Sequence, residues 1–173
     1  LGGAQIALKD QGVFIGRRVT FLGSSPLLPL VAKQYHALGA TVAGVFDTTY
    51  FFTKLLAVPH FIHAPETALR GLGYLARLRL AGVPIRFGVD PVQIEGKQSV
   101  EALILRKPDG STEHIACDAI AFGYGLKPET QLAELAGAQF FFDELFRLWL
   151  PAIDEDGRAG TNLYLAGDGA AIG

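Results

Sequence analysis

The spacing of apolar positions switches between a helical period and a period of two, and the switches mark the elements. Residues 3–11 set Ala4, Ala7 and Leu8 on one side of a short helix that Gly12 ends. Residues 17–22 read as an apolar strand, and 23–26 as a turn with Ser25 fit to cap a helix and Pro26 fit for its first position. The helix runs to about residue 38, where Gly39 stops it, and Pro29 falls early enough to be tolerated. Residues 41–47 form a second apolar strand. Strand, turn, helix and strand within about 30 residues make a βαβ unit, whose crossover forces parallel strands.

Residues 50–64 are aromatic and irregular, with helical spacing over 51–58 that Pro59 ends. Pro65 opens a stronger helix to about residue 81, with Leu69, Leu72, Leu75 and Leu78 near helical spacing and Gly82 after it. The period then becomes two. Residues 84–88, 91–95, 100–107 and 112–116 are expected as antiparallel strands, the last two joined at Pro108-Asp109-Gly110. Residues 118–122 form another buried strand that leads into Gly123-Tyr124-Gly125. A short helix over 130–136, strands at 139–142 and 148–150, and a solvated turn at Asp154-Glu155-Asp156-Gly157 follow. A buried strand at 162–166 runs into an Ala-Gly-Asp turn and the first residues of a helix.

Composition narrows this. The chain has 173 residues, enough for one domain or one and a fraction. Half of them are apolar and 18% are charged, against about 25% in an average domain. That excess implies a large core and some apolar surface that further sequence or a partner covers. With no Met, and with a last helix that stops at its start, the sequence reads as a piece of a longer protein. A net charge of −2 gives no basic footprint for nucleic acid, and the basic residues are scattered apart from Arg70, Arg77 and Arg79. No apolar run approaches the ~18 residues of a membrane span, and no secretory signal opens the chain. A cytoplasmic location, or one at the periphery of a membrane, is expected. Cys117 sits in an apolar stretch and reads as a buried thiol; there is no Cys-x-x-Cys pair.

Candidate chemistry gathers at glycine turns. Gly23-Ser24-Ser25-Pro26-Leu27-Leu28 stands where a dinucleotide fold places Gly-x-Gly-x-x-Gly. Gly23 holds the first glycine position, while Ser25 and Leu28 hold the second and third. Two readings stand: a turn that binds NAD, and a structural remnant. Asp47, 24 residues after Gly23, suits the ribose hydroxyls of NAD and would repel the 2′-phosphate of NADP; it also suits an ordinary strand end. Gly123 and Gly125 allow backbone to approach a nucleotide, or simply turn the chain out of a sheet. Gly167 and Asp168 begin the terminal helix, where a carboxylate can cap it. The histidines are not grouped with acids at metal-ligand spacing, and His60-x-x-His63 is a weak signal, so no metal is expected. No Ser-His-Asp arrangement and no catalytic acid or base can be named.

Gly2-Gly3-Ala4-Gln5, Gly16-Arg17-Arg18-Val19, the Gly-Ser-Ser-Pro-Leu-Leu turn, the run from Ala119 to Thr130 and Tyr164-Leu165-Ala166-Gly167-Asp168-Gly169 together resemble the FAD/NAD-linked pyridine nucleotide-disulfide oxidoreductases. Within these, the chain is most similar to the α-type subunits of opine oxidase, hydrogen cyanide synthase and proline or hydroxyproline dehydrogenase complexes. The resemblance implies an α/β fold of glutathione-reductase type: a Rossmann-like three-layer nucleotide-binding domain with an antiparallel β-meander, inserted in an FAD domain. It implies that residues 1–145 are the inserted domain and 146–173 a remnant of the FAD domain. Asp168 would then accept a hydrogen bond from a flavin ribityl hydroxyl, at a helix start facing phosphate or flavin oxygens. The missing partners would be an upstream FAD-binding segment and a second oxidoreductase subunit. The implied function is electron transfer in an amine, opine or amino-acid dehydrogenase. An NADH-dependent reductase like those serving ferredoxin or nitrite remains open. So does a non-catalytic module docking a partner through Phe51, Phe52 and Phe61.

Overall fold

The structure, a computed structural model, describes residues 1–50, 65–107, 109–125, 127–144 and 146–170. The helix expected over 51–58, the His60/His63 pair, and the Phe51, Phe52 and Phe61 face lie outside these residues. The chain divides into two compact units, Leu1–Gly125 and Leu126–Gly173.

The first unit begins with helix α1 (Gly2–Asp10), strand β1 (Arg18–Gly23), helix α2 (Leu27–Ala37) and strand β2 (Thr41–Asp47). Helix α3 (Pro65–Leu80) and strand β3 (Ile85–Phe87) follow. Strands β4 (Asp90–Glu95), β5 (Ala102–Arg106), β6 (Thr112–Ala116) and β7 (Ala119–Gly123) complete it. A four-stranded parallel sheet has the order β3-β2-β1-β7, the first half of a doubly wound dinucleotide fold. The period of two predicts an antiparallel strand at 84–88; β3 instead pairs parallel with β2. Helix α3 precedes β3, and a helical crossover returns the chain in the same direction.

Val19 and Phe21 point to one face of β1, where Leu28, Val31, Ala32 and Tyr35 of α2, Ala4 and Leu8 of α1, and Leu78 of α3 pack on them. Leu22, Ala43 and Phe46 point to the other face and pack on Leu103 and Leu105 of the antiparallel β4-β5-β6 layer, with Cys117 buried among them. Helices, parallel sheet and β-meander are thus the three layers expected. Arg86 of β3 and Glu113 of β6 clip the two sheets together by a bidentate pair of 2.5 and 2.8 Å. The Arg86 guanidinium also lies 5.8 Å from the Phe46 ring centroid. Glu113 is held below its ordinary carboxylate pKa, chiefly by its hydrogen bonds from Arg86. Tyr35 donates its hydroxyl to the Ala4 carbonyl at 2.8 Å, and its burial raises its pKa.

The second unit holds helix α4 (Gln131–Leu135), a hairpin of β8 (Phe140–Asp143) and β9 (Leu148–Pro151), a pair of β10 (Arg158–Gly160) and β11 (Leu163–Tyr164), and a 3-10 turn over Gly167–Ala170. The buried strand expected at 162–166 is shorter and less covered: it pairs only at Leu163 and Tyr164, and Tyr164 is exposed. Asp154 organises the acidic turn by accepting from the Asp156 and Arg158 N–H groups, as short acidic turns do.

Candidate functional site

The sheet register brings three sequence-predicted positions to one level. Gly23 pairs with Asp47 on one side and Gly123 on the other, all at the carboxyl ends of their strands. Beside β1 the strand order reverses from β2 to β7, and such a switch point is where doubly wound sheets hold ligands. The placement is that of a dinucleotide site; the local hydrogen bonding is not.

Ser24 N–H and Ser25 N–H both donate to the Gly123 carbonyl, at 3.0 and 3.3 Å. Ser25 is buried; its Oγ accepts from the Leu27 N–H at 3.2 Å, and its carbonyl accepts from the Leu28 N–H at 3.1 Å. Pro26 is already helical (φ −62°, ψ −14°), so the Ser25 side chain caps the helix much as expected, although the assigned helix starts at Leu27. Leu28 is fully buried among the core residues between helix and sheet. Gly23 has φ +144°, and a Cβ there would lie 1.9 Å from the Gly123 oxygen. A Cβ on Gly123 would lie 2.9 Å from the Leu1 side chain. Asp47 is buried and accepts from the Thr49 N–H at 2.8 Å. Gly125 has φ +133° with open space around it, so its glycine serves a turn rather than a close approach. A cavity of about 350 Å³ lined by His36, Thr41, Gly82 and Val83 opens at the start of β2, the edge opposite Gly23 and Asp47.

In the second unit, Gly167 has φ +61° and turns the chain into the 3-10 segment that carries Asp168. Asp168 is exposed, and its Oδ2 accepts from the Glu129 N–H at 2.8 Å. The Glu129 Oε1 in turn accepts from the Gln131 N–H at 3.1 Å, at the start of α4. The carboxylate is therefore anchored through one oxygen. A ribityl hydroxyl needs one well-aimed acceptor, and this arrangement fits that need.

Sequence reasoning missed one cluster. Asp118 accepts from the Arg17 and Arg18 N–H groups at 2.9 and 2.8 Å, and a Cβ on Gly16 would meet its Oδ1 at 2.4 Å. Arg18 Nε adds a bond to the Ala116 carbonyl. These residues tie the starts of β1 and β7 together and give Gly16 and Arg18 a reason to be there; a glycine before a strand and an Asp before its neighbour were the available signal. Among the described residues there is no group of three His, Cys, Asp or Glu that could hold a metal, and no helix long and apolar enough to cross a membrane.

Comparison with known proteins bears out the resemblance read from the sequence. The chain is 32% identical to hydrogen cyanide synthase subunit HcnB of Pseudomonas protegens over 179 aligned positions, covering 99% of this chain and 38% of HcnB. It is 32% identical to an opine oxidase subunit of Agrobacterium tumefaciens, covering 99% of this chain and 34% of the relative. It thus spans well under half the length of the curated relatives it matches. Among solved structures, L-proline dehydrogenase from P. horikoshii superposes on 96% of the chain with a TM-score of 0.59 at 18% identity, over 24% of its own length. The same fold is shared with bacillithiol disulfide reductase from Staphylococcus aureus and thioredoxin reductase from Lactococcus lactis, at TM-scores of 0.55 and 0.57 and 15% and 14% identity. No family model matches the chain.

Proposed function

We propose that this chain is part of an FAD-dependent oxidoreductase, in the electron-transferring subunit of an enzyme that oxidises an amine, opine or amino acid. Residues 1–145 are its nucleotide-fold domain, and 146–173 belong to its FAD domain. An FAD-binding segment upstream and a second oxidoreductase subunit complete the assembly. Similarity to HcnB and to the opine oxidase subunit, running along 99% of the chain, supports the subunit class.

The single observation that carries the flavin reading is the exposed Asp168 carboxylate, anchored through Oδ2 by the Glu129 N–H just after a glycine turn. Flavin, when bound, supplies the two-electron carrier. This chain's contribution is to orient: Asp168 accepts a hydroxyl hydrogen bond, and Glu129 fixes the direction in which it does so. On this reading substrate oxidation falls to the partner subunit. The test is the visible spectrum of the full-length protein. A yellow preparation bleached by dithionite is expected. Asp168→Asn should bind flavin about tenfold more weakly, the loss of one charge-assisted hydrogen bond. A colourless protein overturns the reading.

A further inference from the structure

We propose that the nucleotide turn of the first unit is closed by the chain itself: the Gly123 carbonyl takes the place of a phosphate oxygen, and Gly23 serves that closure rather than a ligand. The fold implies a nicotinamide dinucleotide at this turn, and the residues present do not fit one. A pyrophosphate is held by backbone N–H groups of the glycine turn and helix start that point outward. Here each such group from residue 24 to residue 28 is accounted for. Ser24 and Ser25 donate to the Gly123 oxygen, Leu27 donates to Ser25 Oγ, Leu28 donates to the Ser25 carbonyl, and Pro26 has no N–H. An incoming phosphate oxygen would have to displace a protein acceptor at every point of contact.

The glycine that survives from the dinucleotide pattern has a different reason to be there. Its φ of +144° and the 1.9 Å gap from its absent Cβ to the Gly123 oxygen let β1 and β7 end against each other. In the third glycine's position, Leu28 fills the core instead. The acid that would read the ribose is buried, and its Oδ1 takes the Thr49 N–H. Turn, helix start and ribose acid have all been turned inward. The first unit therefore takes no dinucleotide at this turn, and electrons reach or leave the flavin without passing through NADH or NADPH.

The closure itself stands without the flavin reading; only the route of electrons rests on it, and the experiment separates the two. Full-length protein is titrated with NADH and NADPH by calorimetry, and its visible spectrum is followed on adding NADH and then dithionite. No binding is expected up to about 1 mM, with no bleaching by NADH and full bleaching by dithionite. The Ser25→Gly variant is expected to be equally silent, because Gly123 still holds the N–H groups of residues 24 and 25. Sub-millimolar binding of either nucleotide by either protein overturns the closure, as does bleaching by NADH. A protein with no visible flavin band leaves the calorimetric result standing as the test of the turn and sinks the flavoprotein reading alone.

Discussion

Residues 1–125 bury Phe21, Tyr35 and Phe46 completely, whereas residues 126–173 leave Leu132 and Leu135 about 80% exposed and Phe146 and Trp149 near 65%. The first unit has a sheet with a filled core on each face. The second offers a five-residue helix and two-stranded pairs, with Ala133, Pro151 and Ala170 as the buried residues among those described. Two-stranded hairpins are marginal in water without a third strand or a covering layer. Phe142 and Trp149 stack edge-to-face at 5.5 Å across one such hairpin, with Phe141 exposed beside them. The contrast teaches that the first unit carries its own filled core and, on the reading that the chain is part of a longer flavoprotein, that the second unit relies on the rest of that protein for cover.

The sharpest way to break this contrast is to damage the first unit's tightest contact. Gly23→Ala drives a Cβ into the Gly123 carbonyl and should destabilise the chain by more than about 4 kcal/mol, seen as loss of the thermal unfolding transition. Next comes a matched pair of truncations followed by denaturant unfolding. Leu28→Ala should cost about 3 kcal/mol, since it empties a closed core. Leu135→Ala should change stability by less than about 0.5 kcal/mol, since that side chain is already in water.

A smaller effect has the opposite sign. The Thr20 hydroxyl is fully buried without a hydrogen-bond partner, so Thr20→Val should stabilise the first unit by about 1 kcal/mol in the same denaturant titration. The smallest effect is titratable. Glu113 has a lowered pKa in the folded state, so its stabilisation is complete above the ordinary carboxylate range and is lost as pH falls through the lowered value. Glu113→Gln should cost about 0.5 kcal/mol at neutral pH for this partly exposed pair, and should flatten the acid limb of the stability curve.

The same contrast explains what the sequence made legible. In the first unit, burial patterns are strong: β1 and β2 are buried along nearly their whole length, and the βαβ unit over 17–47 could be read directly. The direction of β3 could not, because three residues carry too little pattern and the following strands drew it into a meander. The level of Gly23, Asp47 and Gly123 follows from strand order, which local periodicity does not encode. The closure at the turn is less legible still, since Gly123 lies a hundred residues from Gly23 and acts through a backbone oxygen. Asp118 is illegible for the same reason: its partners are backbone N–H groups about a hundred positions away. In the second unit, Asp168 was legible from its motif and its partner Glu129 was not.

Hydrogen exchange, residue by residue, on the 173-residue chain and on the full-length protein is decisive between the two units. Strands β1, β2 and β5 should be equally protected in both, while β8, β9 and β11 should exchange freely in the short chain and become protected in the long one. Equal protection of β8 and β9 in the two proteins would contradict that difference between the units.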